Sequence, residues 1–143
     1  MKELHNHLIH QVITEFVSRH VGDARIFDPT NETDIEELVK WGVSFQSKAS
    51  LPDLIVHHRK RDWLFLMDAT PERSHISESR KAELTQCFSE CGKHLVMFSA
   101  FADRESFTPC IEWIASGTHV WFADNPDHMI HFNGERFLGP YSK

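Results

Sequence analysis

Apolar residues recur with helical spacing near the start of the chain. Leu8, Val12 and Phe16 lie four residues apart, and each is followed by a second apolar residue, Ile9, Ile13 or Val17, with polar residues between these pairs. This pattern predicts an amphipathic helix over residues 3–20, which Gly22 would end.

A short apolar stretch at residues 24–28 is typical of a strand and is followed by a second helical signal. Thr33 and Glu36 have the three-residue spacing of a capping box, in which each side chain bonds a free backbone N–H of the first turn. We therefore expect a helix from Thr33 to Trp41, with Gly42 as its terminator.

Two apolar runs at residues 54–58 and 63–69 surround the charged turn 59–62. Their short length and β-branched or aromatic content favour strands over helices. The second run is almost entirely apolar, which is typical of a central strand covered on both faces. A hairpin is predicted here.

Helices and strands alternate over the rest of the chain. In order, we expect a helix over residues 77–91 that Ser77 caps and Gly92 ends, a strand over 94–101, a helix from Asp103 closed by Gly117, a strand over 119–123, and a hairpin around Asn133-Gly134. In the helix that follows Asp103, the residues Phe107, Ile111 and Ile114 are predicted to face inward. The alternation indicates an α/β fold with a central mixed sheet that is flanked by helices on both faces.

Composition limits the class of protein. A chain of 143 residues with 41% hydrophobic residues is long enough for a single domain with its own core. No apolar run approaches the roughly 18 residues of a membrane span, and three cysteines suit a reducing compartment, so we expect a cytoplasmic protein without a membrane partner. The net charge of −6 argues against a general electrostatic grip on nucleic acid. The basic turn at residues 57–61 is interpreted as a solvated loop.

Two metal patterns in the sequence are interpreted as coincidental. Cys87, Cys91 and His94 have plausible spacing for zinc but lack a fourth ligand, and the cysteines also fit a small apolar helix face. His5 and His7 spell the letters of the HNH nuclease motif, yet they fall on a predicted helix where they point to different faces.

Two aspartates stand at the ends of the predicted hairpin strands. Asp53 follows a proline, and Asp68 interrupts an apolar strand where an unpaired carboxylate would be costly. Antiparallel pairing brings the start of the first strand beside the end of the second, so both carboxylates should lie at one sheet end. Two hard oxygen ligands suit magnesium. An alternative without a metal fits the sequence equally well. In it, Asp53 caps the bend after Pro52, and Asp68 accepts a hydrogen bond from the N-terminus of the next helix.

The same stretch, LPDLIVHHRKRDWLFLMDA, resembles the motif region of BsuBI/PstI-type restriction endonucleases within the PD-(D/E)xK nuclease superfamily. The segments LVKWGV, LVMFSAFADRESF and VWFADNPDHMIHFNGERFLGPY are similar to the C-terminal catalytic domain of that family. The resemblance covers most of the chain and implies a restriction-endonuclease-like fold.

What the resemblance implies is a magnesium-dependent phosphodiesterase acting on double-stranded DNA, with manganese as a substitute metal. Asp53 matches the metal-binding aspartate of the family, and Asp68 stands where the family has a glutamate. Glu15 is a further candidate metal ligand from the first helix.

Two departures from the pattern affect the expected site. Thr70 occupies the position of the superfamily lysine, although the BsuBI/PstI pattern itself lacks a lysine there. A basic residue from the next helix would replace it, with Lys81 as first choice because lysine changes protonation state, and Arg80 as second. The segment at residues 71–75 also differs from the family pattern.

The function expected from these residues is a restriction-like DNA endonuclease that works as a homodimer, because both strands must be cut. The 143 residues would form one catalytic domain, without the N-terminal DNA-recognition region of the family. The alternative is a catalytically decayed nuclease fold that binds DNA or protein.

Overall fold

The computed structural model describes residues 2–47, 50–69 and 76–132, with side chains from residue 7 onward. The predicted turn at Asn133-Gly134, Thr70 and the 71–75 segment lie outside the described residues.

The helices pack on the two faces of one sheet. They are α1 (Lys2–Gln11), a π-helical continuation (Val12–Val21, here the π segment), α2 (Glu32–Lys40), α3 (Glu78–Cys87), α4 (Arg104–Phe107) and a 3₁₀ helix (Thr108–Trp113). No helix among the described residues is long and apolar enough to cross a membrane.

The sheet has six strands in the order of the sequence. They are β1 (Ala24–Phe27), β2 (Leu54–His58), β3 (Trp63–Asp68), β4 (His94–Phe101), β5 (His119–Phe122) and β6 (Met129–His131). The pairs β3–β4 and β4–β5 are parallel, and the other pairs are antiparallel. The predicted mixed sheet, flanked by helices, is confirmed.

Side chains of β3 alternate between two cores, because successive residues of a strand point to opposite faces. Phe65 and Met67 belong to the core beneath α1 and the π segment, while Leu64 and Leu66 belong to the core beneath α2 and α3. The central strand is thus buried on both faces, as its apolar sequence predicts.

Phe16 of the π segment anchors the first core. Its ring makes edge contacts with Phe65, Phe98 and Trp121 at centroid distances of 5.8, 4.9 and 5.7 Å. Aromatic pairs at this spacing add to the burial of apolar area, so this residue fixes the first helical layer on the sheet.

The helical region predicted at residues 3–20 is confirmed in extent but changes its hydrogen bonding at Val12. The hydroxyls of Thr14 and Ser18 donate to the carbonyls four residues earlier, at 3.0 and 2.7 Å. Such bonds compete with the helix ladder, and the helix ends with a bond from the Gly22 N–H to the Val17 carbonyl at 2.8 Å.

Two predicted helix boundaries are wrong. Helix α2 begins at Glu32, because the Asn31 side chain accepts from the Asp34 N–H at 3.0 Å and caps the helix ahead of the predicted Thr33 box. Helix α3 has the predicted Ser77 cap but ends at Cys87, before Gly92.

The helix predicted from Asp103 to Gly117 is also wrong beyond Phe107. Pro109 lacks the N–H that an α-helix needs, and the chain continues as a 3₁₀ helix to Trp113. Phe107 is buried as predicted, but Ile111 is 50% exposed because the tighter winding turns it away from the core.

Candidate active site

Asp53 and Asp68 lie side by side where β2 begins and β3 ends. Leu54 pairs with Met67 in the antiparallel register, which places the two aspartates at the next position of the hairpin. The Asp53 N–H donates to Asp68 Oδ1 at 3.3 Å, and the Ala69 N–H donates to Asp53 Oδ2 at 2.7 Å. The convergence predicted from the hairpin is therefore present, and it is held by two hydrogen bonds between side chain and backbone.

Arg80 reaches this pair from the first turns of α3. Its Nε donates to Asp68 Oδ2 at 2.7 Å and its Nη2 to Asp68 Oδ1 at 3.2 Å, so the ion pair is bidentate. The other bonds of the guanidinium go to the carbonyls of Ser50 and Leu51 and to Glu83 Oε1. These five hydrogen bonds equal the number of N–H donors that a guanidinium has.

The ion pair is largely removed from water. The side chain of Asp68 is 9% exposed and that of Arg80 is 19% exposed. Burial raises the pKa of Asp68, and the hydrogen bonds and charge of Arg80 oppose that rise. Burial acts to lower the pKa of Arg80, but the hydrogen bond and charge of Asp68 outweigh it and raise this pKa above its ordinary value. Arg80 is therefore a permanent positive charge at the site.

The site contains residues that the sequence analysis missed. Glu83 accepts from Arg80 at 2.7 Å and lies one helical turn further along α3. Ser99 is fully buried on β4, in register with Asp68, and its hydroxyl oxygen accepts from the Ile76 N–H at 2.7 Å. Ser99 thereby fixes the backbone that leads into α3. A polar residue within the apolar run of β4 was a visible signal of the same kind as Asp68.

Lys81, the first choice for the basic residue, points elsewhere. Its ammonium donates to the Ser116 carbonyl at 2.7 Å, in the segment that leads into β5. The structure thus brings the second choice, Arg80, to Asp68, which lies beside Asp53. The catalytic role of Lys81 stays a prediction.

Glu15 lies on the π segment, in the helical layer on the opposite face of the sheet from α3. Its Oε1 accepts from Arg19 Nη2 at 2.9 Å, and Arg19 also pairs with Asp127 at 2.8 Å. The carboxylate of Glu15 is thus engaged in a surface ion-pair network, and its role as a metal ligand stays a prediction.

The other basic and metal-binding patterns lie away from this pair. The turn at residues 59–62 sits at the far end of the hairpin, whereas His57 and His58, predicted as part of a solvated loop, belong to β2 and pair with Leu64 and Trp63. Cys87 is a buried free thiol at the end of α3, and Cys91 lies beyond the helix. Within residues 2–47, 50–69 and 76–132, no group of three or more His, Cys, Asp or Glu side chains is arranged to hold a metal.

The chain is similar to known proteins along nearly its whole length. The BsuBI/PstI restriction endonuclease domain matches residues 2–135. Type II restriction enzyme BsuBI of Bacillus subtilis is 34% identical over 143 residues, covering 96% of this chain and 45% of the relative. Type II restriction enzyme AplI of Arthrospira platensis is 24% identical over 124 residues, covering 86% of this chain and 38% of the relative.

The solved structure of SdaI restriction endonuclease superposes with a TM-score of 0.79 at 33% sequence identity. The match covers 97% of this chain and 46% of that chain. The predicted restriction-endonuclease-like fold is confirmed by this likeness. The chain spans less than half the length of each of these three proteins.

Proposed function

The chain belongs to the BsuBI/PstI restriction endonuclease domain family, and we propose that it forms the catalytic part of a DNA endonuclease. The observation that carries the proposal is the convergence of Asp53, Asp68 and Arg80 at one end of the β2–β3 hairpin. Two carboxylates beside a permanently charged arginine are suited to cleavage of a phosphodiester, since the carboxylates would hold a metal and the arginine would bind the negative phosphate.

The donor set at this sheet end fits magnesium or manganese. Asp53 and Asp68 supply hard oxygen ligands, and magnesium is commonly held by one or two carboxylates while it keeps several waters. When bound, the metal would polarise a phosphate oxygen and lower the pKa of an attacking water. Asp53 and Asp68 are the residues proposed to hold it.

Arg80 is the proposed phosphate-binding residue of the site. A guanidinium offers planar paired donors that match phosphate geometry, and its charge does not depend on pH in the physiological range. It would stabilise the charge that develops on the phosphate oxygens as the attacking water approaches. Since it cannot accept a proton, we assign it no role as a general base.

The proposed substrate is double-stranded DNA, and the proposed active form is a homodimer that places one site on each strand. The two Type II restriction enzymes named above are more than twice as long as this chain. The substrate and the homodimer are therefore proposals for this chain.

Plasmid cleavage tests the proposal. Supercoiled plasmid is incubated with the chain and Mg²⁺, Mn²⁺ or excess chelator, and nicked and linear products are measured over time. Asp53→Asn and Asp68→Asn should each lower the cleavage rate by about a hundredfold or more, the range for removal of an electrostatic catalytic group. Metal-dependent cleavage that survives both substitutions would refute the assignment.

Parallel Arg80→Gln and Lys81→Gln variants identify the basic residue. We expect Arg80→Gln to lower the cleavage rate by about a hundredfold or more. A loss of cleavage in Lys81→Gln alone would instead identify Lys81 as the basic residue, as the sequence first predicted.

One observation favours a second candidate, a decayed nuclease fold that binds DNA without cutting it. Every donor of Arg80 is already engaged within the protein, and both oxygens of Asp68 accept hydrogen bonds. If the plasmid stays intact with every metal while a gel-shift assay detects DNA binding, this second candidate replaces the first.

A further inference from the structure

Arg80 is hydrogen-bonded to both oxygens of Asp68, the carboxylate that is proposed to bind a metal. Oδ2 of Asp68 accepts from Nε at 2.7 Å, and Oδ1 accepts from Nη2 at 3.2 Å and from the Asp53 N–H at 3.3 Å. A divalent cation bound to the same carboxylate would lie within a few ångströms of the guanidinium. Two positive charges at that separation repel strongly in a partly buried site. Arg80 and a metal therefore cannot both hold Asp68 in the arrangement seen.

One partner of Arg80, Glu83, is placed so that a guanidinium displaced from Asp68 would keep its contact. Glu83 follows at the i+3 position of α3, on the same helix side, and its carboxylate accepts from Nη1 at 2.7 Å. The side chain of Glu83 is 45% exposed, whereas that of Asp68 is 9% exposed. A rotation of the Arg80 side chain toward solvent would thus break its bonds to Asp68 and to the Ser50 and Leu51 carbonyls and keep the exposed ion pair with Glu83.

We propose that Arg80 is a displaceable counter-ion of Asp68: a divalent cation binds the site by replacing the guanidinium, which stays paired with Glu83. This inference rests on the proposed function, because it takes Asp68 as a metal ligand. The arginine neutralises the buried carboxylate in the absence of metal. After displacement, the Nε and Nη2 edge that now faces Asp68 is free to bind a phosphate.

The exchange has a measurable cost for metal affinity. If the site binds a metal only when Arg80 has moved, its apparent affinity is the intrinsic affinity multiplied by the fraction of molecules in that state. A minor state populated at about 0.1 to 10% lowers the affinity by about tenfold to a thousandfold. Removing the competing guanidinium should therefore raise the metal affinity by the same factor.

Equilibrium binding of Mn²⁺ alone, without DNA, tests the inference. Free Mn²⁺ is measured by electron paramagnetic resonance in wild type, Arg80→Gln and Arg104→Gln. Arg104 is the matched control, because it is an arginine just beyond β4, at the sheet edge where β3 also ends. We expect the Kd for Mn²⁺ to fall by about tenfold or more in Arg80→Gln and to change less than threefold in Arg104→Gln.

Equal Kd values in wild type and Arg80→Gln, or weaker binding in the variant, would overturn the inference. Absence of binding in both proteins would overturn it as well, because the guanidinium would not then be what keeps the metal out.

A second measurement uses the wild-type protein and does not depend on the stability of a variant. The ¹⁵N resonance of Arg80 Nε reports its hydrogen bond to Asp68, and Mg²⁺ is added in steps. The resonance should shift and its N–H should exchange faster with water as Mg²⁺ binds. An unchanged Arg80 resonance at saturating Mg²⁺ would refute displacement.

The two proposals fail in distinguishable ways. If Asp53→Asn abolishes Mn²⁺ binding while Arg80→Gln leaves the Kd unchanged, the metal site stands and the counter-ion exchange is wrong. If Arg80→Gln binds Mn²⁺ more tightly but no protein cuts plasmid, the exchange stands and the nuclease proposal is wrong.

Discussion

Replacing Arg80 with methionine should destabilise the fold far more than removing its exposed partner. The substitution keeps most of the apolar stem and deletes all five hydrogen bonds of the guanidinium. Breaking a buried ion pair by removing one partner costs about 3 to 5 kcal/mol, because the other charge is left without compensation. For a domain of this size the melting temperature should fall by about 10 to 15 °C.

Glu83→Gln is the matched control for this prediction. Glu83 and Asp68 contact the same guanidinium at the same distance of 2.7 Å, but their side chains are 45% and 9% exposed. An exposed ion pair contributes about 0.5 kcal/mol or less, so this variant should unfold close to wild type. Urea titration followed by circular dichroism measures both. The reasoning is refuted if Arg80→Met lies within about 1 kcal/mol of wild type, or if both variants lose equal stability.

The pH dependence of the Arg80→Met variant provides an independent check. Without Arg80, nothing from α3 opposes the effect of burial, which raises the pKa of Asp68. A carboxyl whose pKa is higher in the folded than in the unfolded state binds its proton more readily when folded. The free energy of unfolding therefore decreases as the pH rises from about 4 through the folded-state pKa. The stability deficit relative to wild type should be smaller at pH 5 than at pH 8, and a constant deficit would contradict this.

Three further predictions concern residues outside the ion pair. Burial, together with the neighbouring His131, lowers the pKa of His119 to about 4. The unfolded chain, with an imidazole pKa of about 6.5, binds the proton more readily, so the free energy of unfolding should decrease as the pH falls from about 6.5 to about 4. The urea midpoint of His119→Gln should depend less on pH over this range than that of wild type. Ser99→Ala removes the buried acceptor of the Ile76 N–H and should cost about 1 to 3 kcal/mol in equilibrium unfolding, whereas an unchanged midpoint would indicate another acceptor. Ile111→Ala should change stability by less than about 0.5 kcal/mol, because the residue is 50% exposed; a loss of about 2 kcal/mol or more would indicate a core position.

The sheet was predictable because its strands carry strong local signals. The runs at Leu54–His58 and His94–Phe101 match the predicted bounds without change. Neighbouring strands follow one another along the chain, so the sequence order of apolar runs is also their spatial order. Burial on both faces of the central strands leaves short apolar runs, and their length and content of β-branched and aromatic residues favour strands over helices.

Helix ends were harder to predict because several weak preferences compete there. Asn31 and Thr33 both suit an N-cap, and the free-energy difference between such residues is well below 1 kcal/mol. The segment after Phe107 carries an apolar pattern of helical period, yet one proline redirects it into a 3₁₀ helix that exposes Ile111. In the segment after Phe107, local backbone chemistry thus outweighed the periodic pattern.

The convergence of Asp53 and Asp68 could be predicted from antiparallel pairing alone. To predict which basic residue joins them, one must know which face of α3 packs against the sheet. Arg80, Leu84 and Cys87 are spaced four and three residues apart, which places them on one face of α3. Leu84 and Cys87 are buried, so this spacing brings Arg80 to the sheet.

Lys81 was preferred on its proton chemistry, but it is rotated by about 100° from Arg80 around the helix, and its ammonium bonds Ser116 instead. The residue that geometry places at the carboxylates is therefore one that cannot take a proton. Under the proposed function, the basic group of this site acts by fixed charge, and activation of the water depends on the metal that Asp53 and Asp68 hold.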